Sequence, residues 1–455
     1  MMNSPVITKR IRIHGTFTLA SPLRISSGQE ERDGSRGVDI FVLKDEMERP
    51  FIPGTSIAGA LRSRVHWEHP EWEPLLFGYA EGDRALQSAV TVTDSTLDQA
   101  EIVVRDGVHI DTYTGTTVEK HRYDYEAVER GAAGELSLML VIRQYHEEEA
   151  ERLGTSMTDL AKYLTDMLAG GIRLGSLTTK GFGLLSFADV QALTYDFTKA
   201  DDVAAWLLQK QPSSGPYKGT ARPADQGLRI EGTFALRTSL LVRNTDVSDA
   251  DRQNHVHAVM KQSRHDYVIP GTTVKGVLRH QAAYILRRLG KSPDLLRQLM
   301  GFSDEKGSES TQQKSRFYTE EVYFRQGVKE KKQTRNAVDR FTGATIESKL
   351  FAEKPVWQEV PDTPVFTLAF SIDRCQDWEA GLALFLLRDL WTGRIALGAD
   401  KAIGRGYLKG TSARIVYNGK EAVLDEKGAV LSDDIGLEAL AQALVQYDGM
   451  QEVAQ

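Results

Sequence analysis

The chain contains a single cysteine, Cys375, among its 455 residues. One thiol excludes an internal disulfide framework and any zinc site that is built from several cysteines. Long apolar runs are also lacking, since no run approaches the ~18 residues that span a bilayer. The opening segment MMNSPVITKRIRIHG lacks the apolar core of a signal peptide. We therefore expect a cytoplasmic protein that has no membrane partner.

An excess of basic charge is missing too. The net charge is −7, so the chain as a whole does not carry the positive charge that is typical of nucleic-acid-binding domains. A polyanion must then be held by local groups of basic side chains, for which a solvated loop is the alternative interpretation. One such group is Lys329, Lys331, Lys332, Arg335 and Arg340. The composition, 41% hydrophobic and 26% charged, is that of a globular protein, and the length predicts two or three domains.

An internal duplication organises the sequence. IRIHGTFTL at 11–19 matches LRIEGTFAL at 228–236 at six of nine positions, and IPGTSIAGALR at 52–62 matches IPGTTVKGVLR at 269–279 at seven of eleven. Both matches have the same offset of 217 residues. Two further pairs follow in the same order: HIDTYTGTTVE from His109 with AVDRFTGATIE from Ala337, and LGSLTTKGFG from Leu174 with LGADKAIGRG from Leu397. The chain therefore carries two copies of one unit.

The two copies are separated by QKQPSSGPYKGTARPADQG, a segment that is rich in proline, glycine and serine and has no hydrophobic period. We predict a first unit over residues 1–208, a linker over 209–227 and a second unit over 228–455. The second unit ends in an acidic tail, for which a peripheral helix after about Asp433 is the expectation.

Each unit begins with alternating apolar residues, which predict a strand. The Ile-Pro-Gly-Thr block follows and leads into apolar positions at helical spacing, such as Val274, Leu278, Ala282 and Ile285. Strand-like segments, a second helix and a last strand complete the order β-α-β-β-α-β. The predicted fold class is α+β, with two tandem ferredoxin-like units that each have an antiparallel sheet. RNA-recognition domains share this topology, although topology alone does not give function.

The Ile-Pro-Gly-Thr blocks place a turn directly before a helix, with Thr55 or Ser56, and Thr272 or Thr273, able to cap it. A helix start exposes backbone N–H groups and a positive dipole end, which suits a phosphate. An ordinary helix start is the alternative interpretation. The candidate RNA-binding residues of these blocks are Gly54, Thr55 and Ser56 in the first unit, and Gly271, Thr272 and Lys275 in the second.

A glycine-rich loop follows the second helix of each unit. Several glycines beside a cation let backbone amides and a positive charge approach an RNA backbone closely. A flexible turn is the alternative, and no Gly-Lys-Ser/Thr sequence follows that would indicate a nucleotide-binding P-loop. The candidate RNA-binding residues are Lys180, Gly181 and Gly183 in the first loop, and Lys401, Gly404, Arg405 and Gly406 in the second.

Taken as an ordered set, LRISSG, IPGTSIAGALR, LLFG, Asp-x-x-Thr-Gly and LGSLTTKGFG resemble the RAMP superfamily of CRISPR effector proteins. The set is most similar to the backbone subunit of type III complexes, which polymerises along the guide RNA, and a fused pair resembles the tandem subunits of type III-D systems. The resemblance covers most of the chain apart from the linker and the tail. The partners it implies are CRISPR RNA, complementary target RNA, a large polymerase-like subunit and other RAMP subunits.

The resemblance implies a protruding thumb hairpin inserted in each unit, which flips a nucleotide of the guide–target duplex. The Asp-x-x-Thr-Gly blocks fall where the thumb begins, with Tyr113 or Phe341 beside them. An apolar wedge there makes physical sense, because unstacking a base step costs a few kcal/mol and needs an apolar replacement. A half-buried hairpin residue is the alternative interpretation for both aromatic residues.

The resemblance also implies that an aspartate after the first strand cleaves target RNA with a divalent metal, Mg²⁺ or another. A carboxylate, directly or through Mg²⁺, assists attack of the 2′-OH on the adjacent phosphorus. The first aspartate after the strand is Asp33 in one unit and Asp246 in the other, and these are the tentative metal ligands. Asp39, in Gly-Val-Asp, is the rival in the first unit, although Val256 lies opposite it in the repeat. A solvated acidic loop is the alternative.

The sequence thus favours a subunit that binds CRISPR RNA and cuts the paired target RNA at one or two sites. Base pairing would read the sequence, and basic side chains would hold the phosphates. Two alternatives remain open at this point: a structural guide-binding subunit without catalysis, and an endoribonuclease that processes CRISPR RNA. Alanine at Asp33 and Asp246 would test the site assignment, with Asp39, Asp249 and Asp251 as the next candidates.

Overall fold

The computed structural model describes residues 6–26, 38–82, 84–110, 117–221, 227–244, 246–303 and 312–448. The chain divides into two compact units. The first consists of Met1–Thr178 and Phe182–Pro223, and the second of Ala224–Gln455 together with the tripeptide Thr179–Gly181. Among the described residues, no helix combines the length and the apolar character that crossing a bilayer requires.

The first unit contains a six-stranded antiparallel sheet, in which the order β11-β1-β9-β5 is extended by β10 and β12, both paired with β11. Its strands are β1 Ile7–Leu19, β2 Phe51–Ile52, β3 Tyr79–Glu81, β4 Arg84–Leu86, β5 Val90–Val92, β6 Ser95–Thr96, β7 Ile102–Ile110, β8 Thr117–Val128, β9 Ala133–Arg143, β10 Ile172–Arg173, β11 Leu184–Asp196 and β12 Pro216–Lys218. Its helices are α1 Gly54–Glu68, α2 Glu73–Phe77, α3 Gln144–Arg152, α4 Met157–Ala169 and α5 Ala200–Leu207.

The alternation along β1 determines which face of this sheet is buried. Ile11, Ile13, Phe17 and Leu19 are buried in the core of the first unit, which also contains the apolar residues of α1 and α4. Burial of each such side chain stabilises the fold by roughly 1.5–3 kcal/mol. Because successive side chains of a strand point to opposite faces, Arg12 lies on the other face and is exposed.

The second unit has a six-stranded antiparallel sheet in the order β20-β26-β13-β27-β28-β29. Its strands are β13 Gly227–Leu236, β14 Arg243–Asn244, β15 Val256–Met260, β16 Gln262–Ser263, β17 Asp266–Ile269, β18 Phe302–Ser303, β19 Gln312–Gln313, β20 Phe317–Thr319, β21 Val322–Phe324, β22 Val328–Glu330, β23 Gln333–Val338, β24 Thr345–Lys354, β25 Val356–Gln358, β26 Phe366–Asp373, β27 Leu408–Tyr417, β28 Lys420–Leu424 and β29 Val430–Asp433. Its helices are α6 Asp249–Gln253, α7 Gly271–Arg288, α8 Asp294–Met300, α9 Asp377–Trp391 and α10 Leu437–Gln446.

The two units have the same central strand order. In each, the first strand (β1 or β13) lies between the last strand (β11 or β27) and the third (β9 or β26), and the second strand (β5 or β20) is beyond the third. This is the ferredoxin-like order. The predicted pair of ferredoxin-like units with antiparallel sheets is therefore confirmed. The predicted helix in the acidic tail is also present as α10, which buries Leu440 and Leu444 against α9.

Each unit carries a long hairpin outside its main sheet. In the first unit β7 pairs with β8, and in the second β23 pairs with β24. The register agrees between the units, because Arg105 lies opposite Tyr125 in the first hairpin and Gln333 lies opposite Glu353 in the second. The hairpins occupy the same place in the chain as the thumbs that the resemblance implied.

Two details of the sequence analysis were wrong. The helices of the Ile-Pro-Gly-Thr blocks begin at Gly54 and Gly271, directly after a proline, and no side chain caps either start. The threonine and serine side chains therefore lie inside the first turn and do not precede it. Pro216–Lys218, inside the predicted linker, forms the strand β12 and pairs with β11 of the first unit.

Candidate nucleic-acid interface

The glycine-rich loops of the two units have nearly the same backbone conformation. The matched residues Leu177 and Asp400 both have a φ of 59°, a left-handed value that is uncommon for residues other than glycine. The glycines match as well: φ is 82° at Gly175 and 81° at Gly398, 90° at Gly181 and at Gly404, and 73° at Gly183 and 82° at Gly406. The duplication therefore extends to the detailed backbone of these loops.

Glycine is required at the end of each loop by close backbone packing. A Cβ atom at Gly183 would lie 1.9 Å from the carbonyl oxygen of Leu174, and one at Gly406 would lie 1.9 Å from that of Leu397. No side chain fits at such a distance. These two glycines fix the loop on its own base, so their role in the structure is to hold the loop backbone in place.

Arg405, predicted to contact RNA, is instead buried, with only 2% of its surface exposed. Its guanidinium donates to Glu353 at 2.8 Å, to Asp400 at 2.9 Å and to Gln333 at 2.6 Å. A phosphate cannot reach this side chain without breaking those bonds. In contrast, Lys401 in the same loop is exposed and makes no ion pair with a described residue.

Two further arginines complete the cluster around Glu353. Arg243 donates to Glu353 at 2.9 Å and to Asp400 at 2.8 Å, and Arg335 donates to the same two carboxylates. Three guanidinium groups therefore surround two carboxylates. We call Arg243, Arg335, Arg405, Glu353 and Asp400 the arginine–carboxylate network. It joins the glycine-rich loop to the base of the second hairpin and to β14.

The first unit has an apolar arrangement in the corresponding place. Phe182 is fully buried beside Tyr125, with 6.2 Å between the ring centroids, and Leu177 packs against the cluster that these two residues form with Ala127. The guanidinium of Arg105 lies 5.4 Å from the centroid of the Phe182 ring and pairs with buried Glu129 at 3.3 Å. The loop base of the first unit is thus held mainly by aromatic and aliphatic contacts.

Lys180 and Gly181 belong to the compact second unit. Lys180 forms a parallel bridge with Thr319, and its carbonyl oxygen would lie 2.2 Å from a Cβ atom at Gly271. A Cβ at Gly181 would lie 2.8 Å from the backbone nitrogen of Glu321. The backbone of both residues is therefore packed against protein.

The helix starts differ in how their backbone groups are satisfied. In the first unit the amide of Gly54 donates to the carboxylate of Asp94 at 2.8 Å, so the chain supplies its own anion at this point. Ser56 donates its amide to the Pro53 carbonyl, while Thr55 is exposed. In the second unit Gly271 is buried and Thr272 is half-buried. Thr55 is thus the most accessible of these predicted residues.

Lys275, one turn into α7, is buried with 5% of its surface exposed. Its ammonium nitrogen lies 2.8 Å from Ser315 Oγ, 2.8 Å from the Phe317 carbonyl and 3.3 Å from the Thr179 carbonyl. Burial lowers the pKa of Lys275 to about 6. Its contacts are therefore within the protein core, where RNA does not reach it.

The tip of the second hairpin presents an aromatic side chain to solvent. Phe341 is 99% exposed. The turn that carries it is held by Asp339, whose Oδ1 accepts from the amides of Phe341 and Thr342 at 3.0 Å and 2.8 Å. The Asp-x-x-Thr-Gly pattern thus encodes a turn that projects its aromatic residue. Tyr113, the matched residue of the first unit, lies outside the described residues.

The candidate acidic residues have different surroundings. Asp39 Oδ2 accepts from the amide of Asp124 on β8 at 2.8 Å, which ties its loop to the first hairpin. Asp246 has a side chain that is 92% exposed and lies 3.5 Å from Arg252. The hydrogen bond from Lys354 lowers the pKa of Asp251 and holds its carboxylate in an ion pair. Asp33 lies outside the described residues.

Among the described residues, no three histidine, cysteine, aspartate or glutamate side chains come together in a group that could hold a metal ion. A Mg²⁺ ion needs fewer protein ligands than this, since it is often bound by one or two carboxylates, substrate phosphates and water. Asp246 is exposed and weakly paired, so its carboxylate is available to bind a Mg²⁺ ion as a single protein ligand. The carboxylate of Asp251, which is bound to Lys354, is not.

The polar face of β1, on the side of the sheet away from the main core, was not among the predicted RNA-binding residues. Arg10, Arg12 and His14 alternate with buried isoleucines there. The signal was present in the alternation itself, because the residues between the apolar positions of a strand must lie on its other face. Lys218 could not be placed on this face from the sequence, because that requires knowing that β12 pairs with β11.

A family model for the RAMP superfamily matches the chain twice, at residues 16–186 and at residues 233–409. The two matched regions together cover more than half of the chain, and each contains the main elements of one unit. No curated protein sequence matches the chain.

Proposed function

Because this chain belongs to the RAMP superfamily, we propose that it is a backbone subunit of a type III CRISPR effector complex, and that it cleaves the target RNA paired with its guide. Membership supports the coarser statement that it is a CRISPR-associated RNA-binding protein. The finer proposal depends on one structural observation in particular: a hairpin that projects a fully exposed phenylalanine from the second unit.

An exposed aromatic residue at a rigid tip is suited to enter a base stack. Phe341 loses no core contact by inserting between bases, because 99% of its surface is already exposed. Insertion replaces base–base stacking by base–aromatic stacking, which is worth about 1–3 kcal/mol per base. The turn bonds to Asp339 keep the ring at the tip, so the ordering cost on binding is small.

Cleavage would follow from this displacement. A flipped nucleotide brings its 2′-OH into line with the adjacent phosphorus. A nearby carboxylate would take the 2′-OH proton as the 2′-oxygen bonds to phosphorus and the P–O5′ bond breaks. The products are a 2′,3′-cyclic phosphate and, once O5′ takes a proton from water, a 5′-hydroxyl. Asp246 is the described residue that fits this role best, since its side chain is exposed and makes only one long contact, to Arg252. A bound Mg²⁺ would neutralise developing charge on the phosphate. In the first unit, the roles of Asp33 and Asp39 remain proposals.

A second candidate function is a guide-binding subunit without catalysis. The observation that favours it is the use of candidate carboxylates for structure: Asp39 binds the amide of Asp124, and Asp251 binds Lys354. If both units use their aspartates in this way, the chain holds RNA and leaves cleavage to other subunits.

Cleavage of an end-labelled target RNA by the assembled complex distinguishes the two functions. We expect cleavage that requires Mg²⁺ and is stopped by EDTA. Asp246→Ala should remove one cut and leave guide binding unchanged, and Asp33→Ala or Asp39→Ala should remove a different cut. Asp294→Ala is the matched control, because Asp294 is also exposed and lies 3.9 Å from one arginine. Absence of all cleavage by the wild-type complex would leave the structural function.

The hairpin can be tested separately with 2-aminopurine placed in the target strand. A flipped base is unstacked and fluoresces more strongly. We expect Phe341→Ala to lower this signal in the guide–target complex, while Leu350→Ala, at an exposed position on the stem of the same hairpin, leaves it unchanged. Equal fluorescence in wild type and Phe341→Ala would show that Phe341 does not displace a base.

A further inference from the structure

On the face of the first sheet that carries Arg12, α5 covers one end, where Trp206 packs on Tyr195 and Arg10. The side chains of the remaining, uncovered part can be assigned from the strand register. Paired residues on neighbouring strands share a face. Arg12 lies opposite Leu193 and Met139, and His14 lies opposite Gln191 and Ser137. Lys218 on β12 is paired with Gln191 and therefore faces the same side as His14. We call the surface formed by Arg10, Arg12, His14, Gln191 and Lys218 the open face of the first sheet.

The cations of this open face are not neutralised by the protein. The side chains of Arg12 and Lys218 are exposed, and neither makes a hydrogen bond or an ion pair with another described residue. Arg10 lies over the Trp206 ring at 4.9 Å, and its Nε is buried without a hydrogen-bond partner among the described residues. The paired rows carry one carboxylate, Glu135, opposite Thr16. The face therefore has a net positive charge in a chain whose net charge is negative.

His14 adds a neutral polar group in the middle of these cations. Its Nδ1 is buried and has no hydrogen-bond partner among the described residues. Burial, followed by the charge of Arg12, lowers the pKa of His14, while Glu135 acts in the opposite direction. At neutral pH the imidazole is uncharged, so it can exchange hydrogen bonds with a hydroxyl group or a base edge.

The second unit provides an internal comparison. Arg229 occupies the position of Arg12 in the repeat, and it pairs with Glu231 at 2.8 Å and with Glu320 at 2.9 Å. Arg414 on β27 pairs with Glu421 at 2.7 Å. On the corresponding face of the second sheet, Arg229 and Arg414 are thus compensated by carboxylates, whereas Arg12 and Lys218 of the first sheet are not.

We propose that the open face of the first sheet is an RNA-binding surface, in which Arg12 and Lys218 hold backbone phosphates of a single strand and His14 and Gln191 contact its sugars or bases. Neighbouring strands are about 4.8 Å apart and successive residues of one face about 6.8 Å apart, so the cations can reach more than one phosphate. Single-stranded RNA is commonly bound on sheet surfaces of this fold class. The inference rests on the proposed function, since it assigns a further surface to the same RNA.

The charge and shape of the open face indicate which kind of molecule binds to it. Its cations are spread over a flat sheet and do not converge on one point, which suits an extended polyanion better than a small anion. Arginine beside an aromatic ring, as in Arg10 on Trp206, is also a platform on which a base can stack. An acidic protein segment is the other extended polyanion, and the experiment below separates it from RNA.

Binding of a fluorescein-labelled single-stranded RNA of guide sequence to the full-length protein, measured over a series of NaCl concentrations, tests the proposal. We expect Arg12→Ala/Lys218→Ala to weaken binding about tenfold or more at low salt. The slope of log affinity against log salt should fall by about 1.4, since each phosphate contact to a single strand contributes about 0.7. Arg229→Ala, the matched control in the second unit, should leave the slope unchanged.

The outcomes separate this proposal from the one on which it rests. If wild type binds the RNA and the double variant has the same slope, the open face is not an RNA site, although the proposed function stands. If wild type binds no RNA, both proposals fail. If the double variant loses binding of labelled polyglutamate but keeps RNA binding, the face belongs to an acidic protein partner. Matching circular dichroism of the variants ensures that altered folding is not the cause.

Discussion

The two units fill the space beneath their glycine-rich loops with opposite chemistry, although the loops share one backbone conformation. Matched by the repeat, Phe182 corresponds to Arg405, Leu177 to Asp400, Tyr125 to Glu353 and Arg105 to Gln333. In the first unit these residues form an aromatic cluster with Arg105 against the ring of Phe182. In the second they take part in the arginine–carboxylate network. All four positions differ together.

This concerted difference shows that the loop conformation does not depend on one particular set of supporting side chains. The backbone is fixed locally, by the left-handed residues and by the contact of Gly183 or Gly406 with its loop base. The side chains beneath need only fill the space and satisfy one another. An apolar set does so by packing, whereas a charged set does so only while every charge keeps its partner.

The largest effect is expected from Glu353→Ala, which leaves three arginines facing Asp400 alone. Loss of one partner from a buried ion cluster costs up to about 3–5 kcal/mol, because buried Arg405 loses a carboxylate, whereas half-exposed Arg243 is screened by water and contributes less. The free energy of unfolding, measured by urea denaturation of the full chain, should fall by this amount. Hydrogen exchange of β24 should locate the loss in the second unit.

The control for this prediction substitutes residues of the network with the residues found at the matched positions of the first unit. Glu353→Tyr, Asp400→Leu and Arg405→Phe, made together, replace the three most buried members of the network by the matched apolar residues. Arg243 and Arg335 remain, and their side chains, 48% and 21% exposed, can be hydrated. Buried ion clusters that are replaced by packed apolar groups are often as stable as before. We therefore expect the triple variant to be more stable than Glu353→Ala. A triple variant as unstable as Glu353→Ala would mean that the two loop bases are not interchangeable.

The next effect concerns the apolar counterpart. Phe182→Ala removes a fully buried ring from the cluster with Tyr125 and Leu177, and a buried phenylalanine replaced by alanine typically costs about 3–5 kcal/mol. Urea denaturation measures the loss, which should be nearly independent of salt, because Arg105 keeps its pairing with Glu129 when the ring is removed. Phe182→Leu is the matched control and should cost much less, since most of the cavity stays filled. A salt-dependent loss would show that Arg105 and Glu129 dominate this site.

The sequence predicts those parts of the fold and of the candidate site in which the interacting residues are close together in the chain or belong to the repeat. The strand alternation, the helical spacing and the repeat gave the strand order and both helices of each unit, because these patterns are local or repeated. Arg405 was assigned to RNA because a cation in a glycine-rich loop suits a phosphate. Its true partners, Glu353 and Gln333, are 52 and 72 residues away, and no local pattern indicates them. Phe341 was placed at the hairpin, but its full exposure needed the structure.

A smaller effect, and one that depends on pH, is expected at the buried lysine of α7, whose matched residue in the first unit is Ala58. The pKa of Lys275 is about 6 in the folded protein and near 10.5 in the unfolded chain. Between these values the unfolded chain binds a proton that the folded protein does not. The free energy of unfolding should therefore rise with pH in this window, by up to about 1.4 kcal/mol per pH unit.

Lys275→Met isolates this contribution, because methionine keeps the length of the side chain without the titrating group. We expect the stability difference between wild type and Lys275→Met, measured by urea denaturation from pH 6.5 to 9, to shift in favour of wild type as the pH rises. Lys427→Met, at an exposed turn position, serves as the control and should give a flat difference. A flat difference for Lys275→Met as well would mean that its three oxygen neighbours keep the ammonium charged in the core.

The smallest effect is expected at the start of α1, where the two units again differ. The carboxylate of Asp94 accepts the amide of Gly54 at 2.8 Å, and a negative charge at this position also interacts favourably with the helix dipole. Asp94→Asn keeps an oxygen acceptor but removes the charge, and it should lower the free energy of unfolding by about 0.3–1 kcal/mol at low salt. The loss should shrink as NaCl is added, because an exposed charge is screened. Stronger RNA binding by Asp94→Asn would mean that the carboxylate repels a phosphate from this helix start. The start of α1 would then be the phosphate site that the Ile-Pro-Gly-Thr block predicted.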